Sequence, residues 1–529
     1  MSDPLYLYNL IEQRLVEDPD ATAFIIDGNT ISVAEFDQLC RRLDSWLAEQ
    51  GIGQDDVVAV WLVNRLEWLA LLFALARRGA TLAAINTRYR REEVQDILQR
   101  SGARLLVMQS VFRNIAFAEV LSQVDGATLP ALEKIVLLDE GDLPATLIGK
   151  PVIALDSERP AAGGHGHTEA ETGVILFTTS GTTSKPKLVR QPQRSHTLHA
   201  RDNVAYQGFD EDGAVLLASL PLCGTFGLNN VLPAFAAGAP VILQQAFEAD
   251  EALQLMIQYR VTHLFGSDEM FRRLIDGAAD GKPFAHARRF GFGAFSSSFD
   301  DYARAAWDKG VPLYGLYGSS EVLALFAGQP HYPDVERRIE GGGMPIPKGA
   351  QVRVRDTDSG ELLPVGESGE LEITSPSCFL DYLNNPEATR KALTEDGWFR
   401  TGDLGYLRDD GSFVYQSRMG DAIRLSGFLV NPAEIEALLK AQPGVDDAQV
   451  VAVDIDGTPR AVAFVVAAGE QPEPAALIAT CRNLMASFKA PARIWFVEDY
   501  PVTVSANGAK VQRNKLRDQA LALLAGESH

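Results

Sequence analysis

The run from Thr178 to Lys187, Thr-Thr-Ser-Gly-Thr-Thr-Ser-Lys-Pro-Lys, carries hydroxyls, one glycine and two lysines without a large apolar side chain. It directly follows Val-Ile-Leu-Phe at 174–177, which has the pattern of a buried strand. Hydroxyls, close backbone approach and lysine charge suit a polyphosphate. The spacing differs from a Walker loop, which needs a second glycine directly before the lysine. The run therefore predicts a phosphate-binding loop, with a solvated Ser/Thr turn as the alternative.

Two later segments place polar side chains where a nucleotide could be held. Leu-Tyr-Gly-Ser-Ser-Glu at 316–321 follows the apolar strand pattern of Val311–Leu316, and strand ends of α/β sheets are ligand sites. Its tyrosine could stack on a base and its glutamate could hold magnesium on phosphate oxygens. Asp403 lies in a glycine-flanked turn suited to a ribose, and Arg418 could reach the same sugar or phosphate. Taken singly, each segment is equally consistent with an ordinary turn or an ion pair.

Alternating helix and strand patterns must position these segments. Apolar periodicity predicts a helix over Glu67–Arg78, a strand over Ala80–Ile85 and a helix over Arg91–Arg100. Further apolar runs predict strands of helix-covered parallel sheets. After about Glu340 the sequence pattern predicts short strands rich in Gly and Pro. A final stretch of roughly 110 residues is predicted to have its own helices and strands. The additional predicted strands are Arg104–Met108, Lys134–Leu138, Ala214–Leu220, Pro240–Leu243, Val311–Leu316, Ala448–Asp454, Arg460–Ala467 and Arg493–Val497, and the late helices are Pro432–Ala441 and Glu473–Met485.

Composition narrows the class of protein. The 529 residues are 46% hydrophobic and 22% charged, as expected of a soluble globular protein of more than one domain. No apolar run is long enough to span a membrane, and the four scattered cysteines predict reduced thiols and a cytoplasmic protein. The net charge of −22 disfavours nucleic-acid binding. A site for an anionic substrate must therefore be built from local positive groups.

The order of the motifs resembles one superfamily. The chain contains Thr-Ser-Gly-Thr-Thr-x-x-Pro-Lys, Tyr-Gly-x-Ser-Glu, Arg-Thr-Gly-Asp-Leu, an Arg-x-x-Asp junction at 418–421 and Lys-Val-Gln-Arg-Asn-Lys-Leu-Arg at 510–517. This series resembles the AMP-forming adenylate enzymes, which include acyl-CoA synthetases, adenylation domains and luciferases, and it is most similar to acyl- or aryl-CoA ligases. The resemblance implies an α/β fold: a large N-terminal domain of two α/β sheet subdomains plus a small β-barrel-like subdomain, and a small mobile α+β C-terminal domain. It places an AMP-binding adenylation domain at 1–418 and the mobile domain at 419–529.

The resemblance also implies roles for individual residues. Lys510 would bridge the substrate carboxylate and the α-phosphate, Ser320 would contact either group, and Glu321 would carry magnesium. ATP would be held by the loop residues Thr179, Ser180, Gly181, Thr182, Thr183 and Lys187 and by Gly293, Ala294, Tyr317, Gly318, Asp403 and Arg418. After rotation of the C-terminal domain about Gly420, Ser426 and Gly427 would guide CoA. Glycine replaces the charged residue usual at that hinge, but it can absorb a large backbone change.

The acid pocket is expected to be mainly apolar and to suit a fatty or aryl acid. The resemblance assigns to it Cys223, Gly224, Phe226, Gly227, Ser267, Phe292 and Phe295. Gly224 stands where many acyl-CoA synthetases have a histidine, so the pocket is wider there and the second nucleophile is left open. Asp268 stands where the family commonly has proline, and we expect it to cap the following helix.

The sequence leads to three hypotheses about the function. The first is an acid-CoA ligase that uses ATP, magnesium and CoA, acting as a monomer or homodimer. The second is a stand-alone amide-forming ligase that transfers the adenylated acid to an amine, motivated by Gly224 and Gly420. The third is a binding protein without catalytic activity. The presence of Lys510, Glu321 and Asp403 argues against this function.

Overall fold

The computed structural model of the chain describes residues 5–139, 141–161, 168–179, 186–279, 281–293, 299–419, 423–425, 428–455, 458–485, 488–505 and 508–527. At 424, 428, 429, 503–505, 508–510 and 527 it describes the backbone alone.

The helices start and end close to the positions that periodicity predicts. For example, the predicted helices over Glu67–Arg78 and Arg91–Arg100 are Leu66–Arg78 and Arg91–Ser101. The helices are α1 (Asn9–Glu17), α2 (Val33–Glu49), α3 (Leu66–Arg78), α4 (Arg91–Ser101), α5 (Phe117–Ser122), α6 (Gln193–Gln207), α7 (Thr225–Ala237), α8 (Ala249–Tyr259), α9 (Asp268–Gly277), α10 (Phe299–Asp308), α11 (Val335–Ile339), α12 (Pro386–Ala392), α13 (Pro432–Lys440), α14 (Pro474–Leu484) and α15 (Arg513–Glu527).

The strands group into two large sheets and three small ones. They are β1 (Thr22–Ile26), β2 (Asn29–Ser32), β3 (Val57–Trp61), β4 (Thr81–Ala84), β5 (Leu105–Met108), β6 (Lys134–Leu137), β7 (Thr146–Leu147), β8 (Lys150–Ala154), β9 (Gly173–Thr178), β10 (Leu188–Pro192), β11 (Leu216–Ala218), β12 (Val241–Leu243), β13 (His263–Ser267), β14 (Arg289–Gly293), β15 (Leu313–Ser319), β16 (Leu323–Gly328), β17 (Gly342–Pro345), β18 (Gln351–Arg355), β19 (Gly369–Thr374), β20 (Asp381–Tyr382), β21 (Phe399–Leu407), β22 (Phe413–Arg418), β23 (Ile423–Leu425), β24 (Phe428–Val430), β25 (Val445–Ile455), β26 (Thr458–Ala467), β27 (Arg493–Phe496), β28 (Val502–Ser505) and β29 (Gly508–Val511).

The first large sheet holds the strand that precedes the predicted phosphate loop. Its nine strands run in the order β20-β10-β9-β4-β3-β5-β6-β8-β7, and the strands from β9 to β8 pair in parallel. The central strands β4 and β5 are buried along their whole length, as their continuous apolar sequences require. Strand β10 returns antiparallel to β9, so the loop between them lies at one edge of this sheet.

The second large sheet has thirteen strands in the order β18-β19-β21-β22-β17-β16-β15-β14-β13-β11-β12-β1-β2. Its strands β1, β12, β11, β13, β14 and β15 pair in parallel and carry the α/β rhythm. From β15 onward the pairing is antiparallel, and the strands after Gly342 form the predicted β-rich part as a continuation of this sheet.

One large apolar core joins the two sheets. It contains Val58 and Leu82 of the first sheet and Leu216 and Val241 of the second, with α3 among them. Helix α3 is buried on every side from Trp68 to Arg77, which explains its continuous apolar sequence.

The C-terminal part folds around its own core. The β25-β26-β27 sheet packs against α13 and α14, and the Glu436 carboxylate, fully buried, accepts from the Arg513 guanidinium at 2.6 Å. This ion pair fixes the start of α15 against α13. The predicted α/β fold class, with a large N-terminal and a small α+β C-terminal part, is confirmed.

Several predicted strand boundaries differ from the structure by two or three residues, and one of them affects a site residue. The strand expected to end at Leu316 continues through Tyr317 and Gly318 to Ser319, because it turns back to pair with β16. Tyr317 is therefore inside a strand rather than in a loop beyond it.

The described part of the chain contains no helix that is both long and apolar enough to cross a bilayer.

Candidate active site

The ends of the predicted phosphate loop are held together by backbone and side-chain hydrogen bonds. The Thr179 amide donates to the Lys187 carbonyl at 3.0 Å, and the Lys187 amide donates to the Thr179 hydroxyl at 3.3 Å. The Thr178 hydroxyl lies 2.9 Å from the hydroxyl of Tyr89, which is in the connection between β4 and α4. Ser180, Gly181, Thr182 and Thr183 lie outside the described residues. The described ends form a closed neck from which the loop emerges.

Tyr382 connects this neck with Glu321. The Lys187 ammonium lies 4.4 Å from the centre of the Tyr382 ring, a cation–π contact, and the Tyr382 hydroxyl donates to Glu321 Oε1 at 2.8 Å. Burial and the neighbouring Glu321 charge raise the pKa of Tyr382, so the phenol stays a donor. A lysine of the loop and a carboxylate of the second sheet thus meet around one aromatic ring. Sequence reasoning missed Tyr382, which belongs to none of the motifs named in the sequence analysis.

Glu321 can hold a divalent cation. The Tyr382 bond engages one oxygen of a carboxylate that has about four lone-pair sites. Among the described residues no group of three or more His, Cys, Asp or Glu side chains could hold a metal by itself. Magnesium, however, is usually bound by one or two carboxylates together with phosphate oxygens and water. A single hard oxygen donor beside a phosphate loop fits that mode.

The Ser320 hydroxyl touches the start of α7. It accepts from the Thr225 hydroxyl at 3.1 Å, and Thr225 is the first residue of that helix. Gly224 is the helix N-cap, and its backbone angles of −102° and 146° are open to any residue. The segment Cys223–Gly227 and the Ser320–Glu321 turn are therefore neighbours, as the predicted acid pocket requires.

Asn64 fixes the loop that leads into α7. Its amide donates to the Leu220 carbonyl at 2.9 Å and to the Gln244 carbonyl at 3.0 Å, and its Oδ1 accepts from the Leu222 amide at 2.8 Å. All three bonds are buried. A single asparagine before a helix has no local sequence pattern that predicts this role.

The remaining pocket candidates differ in how deeply they are buried. Cys223 is buried, and burial raises the pKa of its thiol to about 11. Phe226 is half-buried, whereas the Phe292 ring packs edge-on against Phe299 in the apolar core, 4.7 Å between centres. Phe295 and Ala294 lie outside the described residues, and Gly293 ends β14 directly beside Ser267 of β13.

The expectation that Asp268 caps α9 is wrong. Ser267 is the N-cap: it has extended backbone angles, and its hydroxyl accepts from the Met270 amide at 3.3 Å. Asp268 is the first helical residue, and its Oδ1 accepts from the Glu269 amide at 3.0 Å. A carboxylate in the first turn still favours the positive end of the helix.

Tyr317, Asp403 and Arg418 form one connected group. The Tyr317 hydroxyl donates to Asp403 Oδ2 at 2.6 Å, and Arg418 Nη1 lies 3.0 Å from Asp403 Oδ1. Asp403 and Arg418 face each other across β21 and β22, and Gly402, with a φ of 69°, lies inside β21, so Asp403 is in a strand and the expected glycine-flanked turn is wrong. Gly318 has no room for a side chain, because a Cβ would lie 2.7 Å from the Ala324 backbone.

Electrostatics keep this group in one charge state. Burial, with the Asp403 charge, raises the pKa of Tyr317 well above its usual value. Burial by itself lowers the Arg418 pKa, but Asp403 together with Tyr317, Tyr415 and Glu321 outweighs burial and the pKa is raised. The Arg418 side chain is 44% exposed against 4% for Asp403, so the arginine offers the open edge of the pair. The arrangement can accept two sugar hydroxyls at the carboxylate, next to an aromatic ring.

The backbone of Lys510 lies in β29, opposite Thr503 of β28, three residues before the Arg513 anchor of α15. Its side chain is not among the described ones, and Gly420, Ser426 and Gly427 lie outside the described residues.

The two sheets bring the predicted phosphate loop, the Glu321 carboxylate and the Tyr–Asp–Arg group to one edge. This combination is the one expected of a nucleotide-binding enzyme. The family model described as AMP-binding enzyme matches residues 11–383, and that described as AMP-binding enzyme C-terminal domain matches residues 434–507. The chain belongs to the AMP-binding enzyme family, and the resemblance drawn from the ordered motifs is confirmed.

Three similar proteins differ in the acceptor that their names state. Fatty acid–[acyl-carrier-protein] ligase ScoC of Streptomyces coeruleorubidus is 31% identical over 95% of this chain and 94% of its own length. The 3-hydroxybenzoate–CoA/4-hydroxybenzoate–CoA ligase of Thauera aromatica is 29% identical over 96% and 95%. The structure of the amide bond synthetase McbA of Marinactinospora thermotolerans superimposes with a TM-score of 0.79 at 25% identity, covering 97% of this chain and 99% of McbA.

Proposed function

We propose that the protein is an AMP-forming acid-CoA ligase. It activates a hydrophobic carboxylic acid, fatty or aryl, with ATP to an acyl-adenylate, releases pyrophosphate, and transfers the acyl group to CoA with release of AMP. The observation that carries the proposal is the meeting of Lys187 and Glu321 around Tyr382 at the neck of the loop. The similarity to ligases named for fatty and hydroxybenzoic acids supports it.

The nucleotide lies along the edge shared by the two sheets. Asp403 and Arg418 hold the ribose, Tyr317 stacks on adenine beside Gly293 and Gly318, and the loop from Thr179 to Lys187 binds the β- and γ-phosphates. The position of the Tyr–Asp–Arg group inside paired strands supports this assignment, because it is rigid before the nucleotide arrives.

Adenylation needs a carboxylate oxygen to attack the α-phosphorus in line with the leaving pyrophosphate. The new bond joins that oxygen to phosphorus, and the bond from phosphorus to pyrophosphate breaks. Ser320 and Lys510 orient the two negative groups, and Glu321 holds magnesium. When bound, magnesium neutralises charge on the phosphate oxygens.

The acid lies between α7 and the Ser320 turn. Cys223, Gly224, Phe226 and Gly227 form one wall and Ser267 closes the end, in an apolar setting that suits a hydrophobic chain or ring. The pocket loop is held rigidly by Asn64, which supports a defined size preference.

The second half-reaction follows rotation of residues 419–529 relative to residues 1–418. Ser426 and Gly427 would then guide CoA, the CoA sulfur attacks the acyl carbon, and AMP leaves. We assign the protein to the cytoplasm, because ATP and CoA are available there and all four cysteines are free thiols.

Pyrophosphate release across fatty, aryl and cyclic acids tests the proposal. Each acid is assayed with CoA, with amines, with a pantetheinylated carrier protein, and without acceptor. We expect acid-dependent pyrophosphate release in all arms and AMP release stimulated by CoA. Absence of acid-dependent pyrophosphate release would refute the adenylation itself, and Lys510→Ala should abolish adenylate formation.

An amide-forming ligase is the second candidate. Gly224 supports it, because among the described residues a Cβ there would meet only the Pro221 carbonyl oxygen, at 3.5 Å, so this wall has free space where a side chain is missing. The similarity to McbA adds support. AMP release that responds to amines and not to CoA would favour this function over the first.

A further inference from the structure

A buried glutamine connects the phosphate loop with the Ser320–Glu321 turn. Gln191 lies in β10, four residues after Lys187, and is fully buried. Its Nε2 donates to the Ser320 carbonyl at 2.6 Å and to the Glu321 carbonyl at 3.2 Å. One amide group thus holds the backbone of both turn residues from the strand that ends the loop.

The segment held in this way is strained. Leu323 and Leu325, both buried, have φ values of 69° and 60°, in the left-handed region that costs a branched residue about 1–2 kcal/mol. Such a backbone persists only where the surroundings over-determine it. The strain lies directly after Glu321, so without external support this segment would relax and move the carboxylate.

Further donors hold the neighbouring carbonyls. The Phe379 amide donates to the Glu321 carbonyl at 2.8 Å, the Ser377 hydroxyl to the Val322 carbonyl at 3.3 Å, and His199 Nε2 lies 2.6 Å from the Ala324 carbonyl. A carbonyl only accepts, so His199 carries its proton on Nε2. Burial lowers the pKa of His199 to about 4, so the ring stays neutral and keeps this role at neutral pH.

We propose that Gln191 is a positioning residue that sets the Glu321 carboxylate and Ser320 hydroxyl relative to the phosphate loop. Three features distinguish Gln191 from an amide whose hydrogen bonds only compensate for its own burial. Gln191 connects two elements, and it contacts two consecutive site residues. In addition, β10 lies between the loop strand β9 and the strand β20 that carries Tyr382. The inference rests on the proposed function, since it assigns the distance between loop and turn to the binding of magnesium-ATP.

The test compares Gln191→Leu with Gln193→Leu. Gln193 is a matched control, because it is equally buried but bonds to the Ala76 carbonyl and the Leu7 amide, away from the site. For each variant the thermal shift produced by ATP is measured with magnesium and with EDTA, and the dissociation constant of magnesium-ATP is measured by calorimetry.

We expect Gln191→Leu to weaken magnesium-ATP binding about tenfold and to abolish most of the difference between the magnesium and EDTA shifts. Gln193→Leu should lower the melting temperature similarly but keep that difference. If Gln191→Leu keeps the difference, or if both variants lose it equally, the inference is wrong.

A second variant covers the case in which Gln191→Leu does not fold. Gln191→Asn keeps the donor on a side chain one methylene shorter, so it cannot reach both carbonyls, and it should give an intermediate loss of magnesium-ATP affinity. Wild-type affinity in Gln191→Asn would overturn the inference. Failure of the wild type to release pyrophosphate with any acid would instead refute the proposed function.

Discussion

Two glycines at the start of α7, three residues apart, differ in the space around their missing side chains. A Cβ at Gly227 would lie 2.0 Å from the Pro221 carbonyl oxygen, 2.5 Å from its carbon and 3.0 Å from the Leu220 oxygen. All three are backbone atoms that cannot swing aside. A Cβ at Gly224 would meet only the Pro221 oxygen, at 3.5 Å, an ordinary contact. Alanine substitution should therefore change stability at Gly227 and leave it almost unchanged at Gly224.

At Gly227 the substitution should destabilise the protein. Overpacking costs about 1–3 kcal/mol, and a rigid backbone neighbour favours the upper end. Alanine regains about 1 kcal/mol of helix propensity, so we expect a net loss of about 2 kcal/mol. A loss of that size lowers the melting temperature by about 2 °C, because an unfolding entropy of about 2.1 cal/mol/K per residue amounts to about 0.9 kcal/mol/K over residues 1–418. Because α7 must move away from Pro221, catalytic activity should fall with every acid alike.

At Gly224 the same substitution should leave stability almost unchanged. Alanine is a poorer N-cap than glycine by about 0.5 kcal/mol, which is a shift of about 0.5 °C in the melting temperature. Its methyl group enters the proposed acid pocket beside Thr225 and Ser320. A methylene-sized change in an apolar pocket is worth about 1–3 kcal/mol, so discrimination between long and short acids should shift by tenfold or more.

Thermal unfolding of both variants, and pyrophosphate release with a graded series of acids, measure these effects. Equal melting temperatures for the two variants would refute the packing argument at Gly227. Unchanged KM values for every acid in Gly224→Ala would show that Gly224 does not border the pocket. The two results are independent, because the first measures the stability of the protein and the second measures its selectivity among acids.

Three further predictions concern charge and protonation. Asp403→Asn should keep the Tyr317 bond but lose the charged acceptor, and calorimetry should find ATP binding weakened about tenfold or more, whereas unchanged affinity would contradict the ribose assignment. Because burial raises the pKa of Cys223 to about 11, its thiol should resist a disulfide reagent at pH 8 until the protein unfolds, and labelling of the folded protein at the rate of a free thiol would contradict this. Burial lowers the pKa of His196 to about 3 and of His199 to about 4. The unfolded chain binds those protons from about pH 6.5 downward and the folded one does not, so the free energy of unfolding should fall by about 1.4 kcal/mol per pH unit for each histidine between about pH 6 and 4. Urea unfolding at pH 7 and 5 checks this, and equal values would contradict it.

Local patterns predicted the elements that carry the site. Periodicity located α3 and α4 within one residue at each end, and the apolar run at 174–177 located β9. These succeed because each element buries a face that its own sequence must supply. Local patterns did not predict the order of the strands in the sheets, because β1 pairs with β12 and β10 with β20 through contacts between distant parts of the chain.

The site was predicted unevenly for a physical reason. Asp403, Arg418 and Glu321 belong to motifs whose order in the chain identified them. Gln191 and Tyr382 act through contacts with residues more than 60 positions away, and a single glutamine in a strand has no local pattern that announces such a partner. Asp268 was misassigned because serine and aspartate are both good caps, and the one in extended conformation takes the role.

The parallel pairing of β1 with β12 sets a delay during synthesis of the chain. Phe24 pairs with Val241, and at about 5–20 residues per second a ribosome needs about 10–40 s to make the chain between them. For that time the β1–β2 hairpin has an open edge and its apolar side chains lack their final neighbours, the kind of surface that chaperones shield. The N-terminal region can complete its sheet only after the segment β11–α7–β12 emerges. The stretch assigned to the wall of the proposed acid pocket is thus also the one whose synthesis completes the first part of the fold.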